Sequence, residues 1–256
     1  RYYYAGGDTG FSESQYYRLL ARASKIGDDV DRAAEALEMF APATEIGIVV
    51  DEWGVWHPEA TFENGLEQEN TIRDALAAAA VLDDLNRRAD VVAMANIAQS
   101  VNVLQCLVQT DAESAWPTPT YQVFDLYRPH MGGTALRTVV DTETRSVESK
   151  GSEFGPDDTH EVPLVSASAS ETDGRIHVTA SNRELDATRE ILVSLGADDP
   201  TVTDAQVLFA GLSVDTYSTS SNAEAFLPER IEVDREGGAL VVDVPPSSVV
   251  GVTVEV

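Results

Sequence analysis

Residues 46–56 read IGIVVDEWGVW, and this stretch decides the fold. Its first half is apolar and β-branched, which is typical of a parallel strand covered on both faces. Asp51 and Glu52 stand where that strand must end, and in a β/α barrel the residues at the carboxyl ends of the strands carry the chemistry. Trp53 and Trp56 follow and offer flat apolar faces, against which the C–H bonds of a sugar can pack. The alternative is that the carboxylates begin a solvated loop and the tryptophans close the barrel mouth.

A second strand and a connecting helix follow the same scheme. Residues 91–105 read VVAMANIAQSVNVLQ, a β-branched run that ends in polar side chains: Asn96, Gln99 and Asn102. Residues 70–88 lie between the two strands, are rich in Ala and Leu, and have about the length that a barrel crossover helix requires. An acidic residue near their start and arginines near their end match the helix dipole. The order strand, helix, strand therefore predicts adjacent units of a parallel β/α barrel.

The segment before residue 46 fits the same pattern. Three tyrosines, Tyr2, Tyr3 and Tyr4, precede a glycine-rich loop. Residues 11–37 are predicted as one helix with Ser12 as its N-cap. The glycines lack the Lys and Ser or Thr that follow them in a phosphate-binding loop, so no nucleotide site is predicted here.

Beyond residue 132 the chain changes character. Short runs of alternating polarity replace the Ala- and Leu-rich segments, and turn residues such as Asp173-Gly174, Gly196 and Gly237-Gly238 separate them. Regularly spaced short strands with such turns predict an antiparallel β-sandwich. The predicted strands lie within residues 136–142, 161–170, 174–182, 188–196, 202–211, 238–244 and 248–256. We therefore divide the chain into an α/β part, residues 1–132, and an all-β part, residues 133–256.

The charge of the chain is its most unusual bulk property. There are 44 acidic against 17 basic residues, the formal net charge is −27, and Lys25 and Lys150 are the only lysines. Such an acidic surface is typical of a halophilic protein, because high salt screens self-repulsion; the alternative is an acidic protein from an ordinary habitat. Polyanions are repelled, so neither nucleic acid nor an anionic membrane is predicted as a partner.

Metal and cofactor chemistry find no support in the sequence. The four histidines, His57, His130, His160 and His177, are scattered without ligand spacing, and no metal or other cofactor is predicted. His57 either borders a site or is a loop histidine with a polar partner. Cys106 is the only cysteine, which excludes an internal disulfide, and its apolar neighbours predict a buried thiol. No apolar run approaches the length of a membrane span.

Four blocks of the sequence, taken in order and spacing, resemble the C-terminal half of the family 51 glycoside hydrolases, the α-L-arabinofuranosidases. They are DEWGVW at 51–56, ENTIRDALAAA at 69–79, ANIAQSVNVLQ at 95–105 and PTYQVFDLYRPH at 119–130, and residues 216–233 and 245–256 follow more loosely. The resemblance implies strands six to eight of a (β/α)8 TIM barrel, followed by a jelly-roll-like antiparallel β-sandwich. Members of that family are retaining enzymes that release terminal arabinofuranosyl groups from arabinan, arabinoxylan and related oligosaccharides. The implied substrate is therefore an arabinose-containing oligosaccharide or polysaccharide.

The family's site residues carry over one by one. Glu52 matches the nucleophile, which attacks the anomeric carbon to form a covalent glycosyl-enzyme. Trp56 matches an aromatic wall of the sugar subsite, and Gln99 matches a side chain that hydrogen-bonds the bound sugar. A tyrosine whose hydroxyl bonds the nucleophile matches Tyr2 or Tyr3, because the register there is open by one residue.

The sequence departs from the family in three respects. The family places a His shortly before that tyrosine; either Arg1 replaces this His, or the His lies just before residue 1. Gly54 stands where many relatives carry Asn, which predicts a more flexible loop. Retaining hydrolysis also needs a second carboxylic acid about 5–5.5 Å from the nucleophile, and in the family this Glu lies on the fourth strand, upstream of this sequence. Glu35, Glu38 and Glu45 are predicted as solvated surface and do not replace it.

We therefore expect a C-terminal fragment, a split-gene product or a truncated record of a longer enzyme, inactive by itself. The expected partners are the missing N-terminal barrel segment or a companion chain, and further copies in a homo-oligomer. An incomplete barrel exposes strand edges and apolar faces, so the isolated chain is predicted to aggregate or to assemble with a partner. The alternative function is a non-catalytic partner subunit or a sugar-binding scaffold derived from such an enzyme. The sequence does not decide where in the cell the protein is located, and the cytoplasm is favoured.

Overall fold

The barrel part is a parallel sheet in the order β1-β2-β3, formed by Tyr2–Tyr3, Ile48–Val55 and Val92–Ile97. The structure, a computed structural model, describes residues 1–149, 158–196 and 200–256. The two strands predicted around residues 46–56 and 91–105 are confirmed. Tyr2–Tyr3 extends the sheet beside β2, where Tyr2 lies opposite Gly54. A short hairpin of β4 (Val108–Thr110) and β5 (Ala115–Pro117) follows β3.

Four α-helices accompany these strands in the described part of the chain: α1 Glu13–Ala23, α2 Ile26–Phe40, α3 Ile72–Asn86 and α4 Pro119–Tyr127. The prediction of one helix over residues 11–37 is wrong, because Ser24 ends α1 and α2 begins at Ile26. The Ser24 hydroxyl donates to the Leu20 carbonyl, a local bond that competes with helix continuation. Ser12 is confirmed as the N-cap of α1 and forms a capping box. None of these helices is long and apolar enough to cross a membrane.

Strand β2 is only partly covered, which corrects the prediction of a strand buried on both faces. Val49 is 49% exposed, and Met94 on the neighbouring β3 is 55% exposed, whereas Trp53 and Val55 are buried. The sheet packs against α2 and α3 on one side. Its other face is open because three strands cannot close a barrel by themselves.

The all-β part contributes β6 Thr134–Leu136, β7 Thr144–Ser149, β8 Asp158–Pro163, β9 Val165–Thr172, β10 Arg175–Asn182, β11 Arg189–Val193, β12 Thr201–Leu208, β13 Glu229–Arg230, β14 Asp234–Glu236, β15 Ala239–Val244 and β16 Ser248–Glu255. One antiparallel sheet has the order β13-β12-β16-β10-β9-β6, and a smaller sheet has the order β11-β15-β14. Val178 and Val252 of the larger sheet share an apolar core with Val242 and Val244 of the smaller one. The predicted antiparallel sandwich is therefore present.

Two predicted turns have the backbone that their residues favour. Asp173 and Gly174 join β9 to β10 with φ of 52° and 74°, and Gly237-Gly238 joins β14 to β15 with φ of 58° and 87°. Positive φ at both central residues is the requirement of a type I′ hairpin. One sequence expectation fails nearby, and one hairpin was not foreseen. The run 136–142 is a strand only as far as Leu136, and the β7–β8 hairpin was not predicted, because its sequence is mostly polar.

Helix α3 lies at the centre of the molecule. Every residue from 72 to 81 is buried, and the helix packs against α1, α2 and α4 as well as against β9 and β10. A helix that is buried on all sides is typical of such a position, and its run of alanines lets its neighbours approach closely. The barrel part and the sandwich therefore share one apolar core, to which Leu208, Phe226 and Val249 of the sandwich contribute.

Residues 209–228, which we call the connecting segment, reach from β12 back to the barrel part. The Ile72 and Arg73 amides at the start of α3 donate to the carbonyls of Thr216 and Val214, each over 3.0 Å. Because α3 follows β2, its start lies at the carboxyl edge of the parallel sheet. The sandwich thus supplies backbone to the edge where the predicted site residues lie.

Candidate active site at the carboxyl edge of the barrel strands

Glu52 lies in an irregular part of β2. Val50 pairs with Ala95 and Trp53 pairs with Ile97, so Asp51 and Glu52 together face a single residue of β3. This is a β-bulge, a feature that redirects side chains and is common beside active sites. Both carboxylates are exposed. The sequence places an acidic pair at the end of the strand, and the bulge turns it out of the regular alternation of buried and exposed residues.

Tyr2 is the tyrosine that contacts Glu52. Partial burial, together with the hydrogen bond from its hydroxyl to the Glu52 carboxylate, raises the pKa of Tyr2 well above its ordinary value. The phenol therefore remains a hydrogen-bond donor across the whole neutral range. Tyr3 points elsewhere, because successive residues of a strand face opposite sides. Tyr3 is 2% exposed, and its hydroxyl has no hydrogen-bond partner among the described residues.

The two tryptophans have different environments. The Trp56 ring packs edge-on against Tyr2, with 5.2 Å between ring centroids, and its indole N–H donates to the Ala60 carbonyl over 2.9 Å. Trp56 is half-buried beside the Tyr2–Glu52 contact. Trp53 is 1% exposed and stacks on Phe124 at 6.1 Å, so the expectation that Trp53 offers a face to sugar is wrong. Trp53 is a core residue of β2 that packs against α4.

Gln99 follows β3 by two residues and is exposed. The preceding residue, Ala98, donates its amide to the Trp53 carbonyl over 2.8 Å, which ties this loop to the end of β2. The Gln99 amide donates to the Val103 carbonyl over 3.1 Å. Gln99 therefore lies on the same edge of the sheet as Glu52. Arg1 does not point to this edge, because its guanidinium forms an ion pair with Asp29 at 2.6 Å.

Two buried glutamines that the sequence analysis missed hold the backbone after β2. The Gln105 side-chain oxygen accepts from the Val55 amide over 2.9 Å, and its nitrogen donates to the Asp74 carbonyl over 2.7 Å. Gln68 accepts from the His57 amide over 2.8 Å and donates to the Val55 carbonyl over 3.2 Å. These bonds fix the path of residues 55–57 behind the site. No local sequence pattern indicates these two glutamines, because each bonds residues that are distant from it in the sequence.

His57 is a buried histidine with polar partners, not a residue of the exposed edge. Its Nε2 lies 3.0 Å from an Asp74 carboxylate oxygen and 2.9 Å from an Arg73 guanidinium nitrogen. All three side chains are fully buried. Burial by itself would raise the pKa of Asp74, but the interactions of its carboxylate with His57 and Arg73 outweigh burial and hold that pKa below the usual range. Arg73 also donates to the Ala5 and Gly7 carbonyls and so anchors the segment after β1.

Gly54 does not belong to a flexible loop, which corrects that prediction. It is buried within β2 with φ of 152°, a backbone conformation that residues with a side chain rarely adopt. A Cβ atom there would lie 3.2 Å from the Ala98 carbonyl oxygen and 3.5 Å from the Gln105 side chain. The absence of a side chain lets the β3 loop and Gln105 pack closely behind the site.

No group of three or more His, Cys, Asp or Glu side chains in the described residues is arranged to hold a metal ion. Cys106 is buried, as predicted, and burial raises its pKa to about 12. Asp111 and Glu113 lie in the exposed turn of the β4–β5 hairpin, where Asp111 accepts from the amides of Glu113 and Ser114.

Solved structures share this architecture over the whole chain. The structure of a family 51 arabinofuranosidase from Xanthomonas axonopodis pv. citri matches with a TM-score of 0.86 and 29% identity, over 98% of this chain and 50% of that one. The arabinofuranosidase of Thermotoga maritima in its arabinose complex has the same fold, with a TM-score of 0.83 and 22% identity over 100% of this chain and 52% of that one. A partial parallel barrel joined to this sandwich defines the C-terminal half of a family 51 glycoside hydrolase.

Sequence comparison identifies the family. The profile described as the alpha-L-arabinofuranosidase C-terminal domain matches residues 51–248, and the chain belongs to this family. It is 32% identical over 249 residues to the intracellular exo-alpha-L-arabinofuranosidase of Bacteroides ovatus, covering 96% of this chain and 46% of that protein. It is 26% identical over 222 residues to the exo-alpha-(1->6)-L-arabinofuranosidase of Bifidobacterium longum, covering 80% and 41%. The chain thus spans about half the length of these relatives.

Proposed function

We propose that this chain is the nucleophile-bearing half of a retaining α-L-arabinofuranosidase that releases terminal non-reducing arabinofuranosyl groups. The observation that carries the proposal is the exposed Glu52 side chain in the bulge of β2, beside the Tyr2–Trp56 ring contact at the carboxyl edge of the sheet. A positioned carboxylate with a neutral hydrogen-bond donor is suited to attack a sugar carbon. Membership of the arabinofuranosidase C-terminal domain family, and the names of the relatives, support arabinofuranosides as substrates.

In this proposal each site residue has one role. A Glu52 oxygen attacks the anomeric carbon as the bond to the leaving oxygen breaks, and water later hydrolyses the glycosyl-enzyme with overall retention. The Tyr2 hydroxyl orients the attacking carboxylate. Trp56 forms one wall of the subsite, and the Gln99 side chain bonds a sugar hydroxyl. The proton for the leaving oxygen comes from a carboxylic acid outside this chain.

The same proposal covers the organisation of the protein. Residues 1–132 form the C-terminal portion of the catalytic barrel, and residues 133–256 form the sandwich. The remaining barrel strands, from the same polypeptide or from a companion chain, pair with the free edges of β1 and β3 and so enclose the open face of the sheet. The name of the Bacteroides ovatus relative supports an intracellular location. A homo-oligomer and adaptation to high salt are further parts of the proposal, the latter supported by the net charge of −27.

The test is hydrolysis of 4-nitrophenyl α-L-arabinofuranoside in molar salt by the complete enzyme that contains this chain. We expect Glu52→Gln to lower kcat by at least about 10⁴-fold, since the covalent route is lost. Glu38→Gln, which changes an exposed carboxylate on α2, is the matched control and should leave kcat unchanged. A Glu52→Gln enzyme with near wild-type activity would contradict the assignment.

Azide separates the nucleophile from an acid/base role. In Glu52→Ala, azide can occupy the space of the lost carboxylate and attack the anomeric carbon, which gives a glycosyl azide of inverted configuration. If the azide product retains the configuration of the substrate, Glu52 is the acid/base residue instead. A complete wild-type enzyme without any hydrolysis would favour the alternative of a non-catalytic subunit or sugar-binding scaffold.

A further inference from the structure

A cleft of about 190 Å³ lies at the junction of three segments that are distant in sequence. The loop before α3, the β4–β5 hairpin with the loop that precedes it, and the connecting segment from the sandwich each contribute side chains. The main contributors are Glu67, Glu69, Asn102, Gln109, Trp116 and Ser218. None of these residues belongs to the site proposed above.

The cleft is close to Gln99 through the backbone. Val103 accepts a hydrogen bond from the Gln99 amide on one side and forms an antiparallel bridge with Glu67 on the other. Paired backbone segments lie roughly 5 Å apart, so Glu67 is on the order of 10 Å from Gln99. This separation corresponds to about one or two sugar units along an oligosaccharide.

Trp116 gives the cleft a fixed aromatic surface. Its indole N–H donates to the Ser218 carbonyl over 3.1 Å, and the Ser218 hydroxyl donates to the Pro117 carbonyl over 2.7 Å. The barrel hairpin and the connecting segment are thereby joined at this ring, which remains only half-buried. A rigid, partly exposed indole is the surface on which sugar C–H bonds pack.

The polar groups of the cleft are mainly acceptors. The Glu67 and Glu69 carboxylates accept no hydrogen bond from any residue in the described ranges, and Glu67 is exposed. Two carboxylates beside an indole favour a neutral ligand with several hydroxyl donors and disfavour an anionic one. Half-burial and the neighbouring Asp8 also raise the pKa of Glu69, as expected for a carboxyl in a partly enclosed acidic site.

We propose that this cleft is a second sugar-binding subsite, which takes a neutral glycosyl unit of the leaving-group part of the substrate, stacked on Trp116 with its hydroxyls on Glu67 and Glu69. The inference rests on the proposed function, because it takes Gln99 as the reference point of the first subsite. The sandwich then takes part in substrate selection through Ser218, rather than only supporting the barrel.

The test uses the complete enzyme and two substrate lengths. Trp116→Ala should lower kcat/KM for a neutral arabino-oligosaccharide by about tenfold, the loss expected for one aromatic stacking contact. Hydrolysis of 4-nitrophenyl α-L-arabinofuranoside should stay within about twofold, because its single sugar does not reach the cleft. Trp116→Phe, which keeps an aromatic ring, should recover most of the activity on the oligosaccharide. An equal loss on both substrates would overturn the proposal.

Binding provides a readout that does not need turnover. In the Glu52→Gln background, calorimetric titration with the oligosaccharide should show about tenfold weaker affinity when Trp116→Ala is added. Should Trp116→Ala fail to fold, Glu67→Ala decides the question, because an exposed side chain can be removed without disturbing the core. Unchanged oligosaccharide affinity in the folded variants overturns the subsite. Failure of the wild-type enzyme on the nitrophenyl substrate, in contrast, counts against the proposed function alone.

Discussion

Asp74 and Asp83 lie on the same buried helix, α3, and their carboxyl groups have pKa values shifted in opposite directions. At Asp74 the burial penalty is outweighed by His57 and Arg73, so the ionised form is favoured. At Asp83 burial dominates over hydrogen bonds from neighbouring hydroxyls, including those of Ser168 and Tyr127, and the pKa is raised. One end of α3 therefore stabilises a charge beside the candidate site, while the other end meets the sandwich with a carboxyl that resists ionisation.

Asp74→Asn is expected to destabilise the protein by ~3 to 5 kcal/mol at neutral pH, since it leaves Arg73 buried without its carboxylate. Because the folded pKa of Asp74 is depressed, its contribution is fully present above the unfolded value of about 3.9 and disappears as the pH falls through the folded pKa. In urea unfolding at constant salt, the difference in unfolding free energy between wild type and variant should become smaller below about pH 4. A gap that stays constant with pH would show that Asp74 is not ionised in the folded state.

Asp83→Asn is expected to have the opposite pH dependence. The folded pKa of Asp83 is raised, so its stabilising contribution is complete below the unfolded value of about 3.9 and is lost as the pH rises through the folded pKa. The variant should lower the unfolding free energy by ~1 kcal/mol near pH 4, because an amide nitrogen replaces a carboxyl oxygen, and should become neutral or stabilising once the pH rises above the folded pKa of Asp83. The same urea series measures this pH dependence.

Tyr2→Phe and Tyr3→Phe form a matched pair that decides the register left open by the sequence. Loss of the Tyr2 hydroxyl should lower kcat/KM by roughly 10- to 100-fold, the effect of removing a hydrogen bond to a charged group. Since the pKa of Tyr2 is raised, the alkaline limb of the pH profile should be the same in wild type and Tyr2→Phe. Tyr3→Phe removes a buried hydroxyl that has no partner in the described ranges, so activity should be unchanged and stability equal or higher. A larger loss of kcat/KM in Tyr3→Phe than in Tyr2→Phe would show that Tyr3 is the partner of Glu52.

Gln99→Ala and Gln105→Ala should distinguish a residue that binds the sugar from one that holds the backbone behind the site. Gln99 is exposed, so its removal should raise KM or lower kcat with little change in the melting temperature. Gln105 is buried and bonds the Val55 amide and the Asp74 carbonyl, so its removal should cost ~2 to 4 kcal/mol in unfolding free energy. Calorimetric melting and steady-state kinetics on both variants test this. Loss of stability in Gln99→Ala would contradict the placement of that residue on the open edge.

Local pattern predicts those features of the fold that depend on near neighbours. The β-branched runs, the alanine-rich helix and the turn pairs Asp173-Gly174 and Gly237-Gly238 each specify their own backbone, and the structure has them at those positions. The position of Glu52 at the exposed end of β2 was predicted for the same reason, because an acidic residue after an apolar run is a local signal, while its role stays a prediction. The β7–β8 hairpin was missed because pairing, rather than composition, makes those polar residues strands.

Features that depend on register or distant contacts could not be predicted. The sequence DEWGVW does not reveal the bulge at Asp51 and Glu52. Unless the bulge is known, the buried side of the strand cannot be assigned to Trp53. In the sequence, Gly54 suggests a flexible backbone. In the structure, the close approach of the Ala98 carbonyl leaves no room for a side chain, so a glycine is required there for packing. Gln105 contacts residues far away in the chain, and a polar residue in an apolar run gives no indication of its partner.

The bonds from the connecting segment to the Ile72 and Arg73 amides have a consequence for modularity. A sandwich domain that only rested on the barrel could be exchanged between relatives by cutting near residue 132. Here residues 209–228 supply the backbone acceptors at the start of α3 and one side of the cleft at Trp116, so a chimera made at that junction would also replace part of the barrel mouth. Recombination should therefore preserve function only when the barrel loops and residues 209–228 are inherited together.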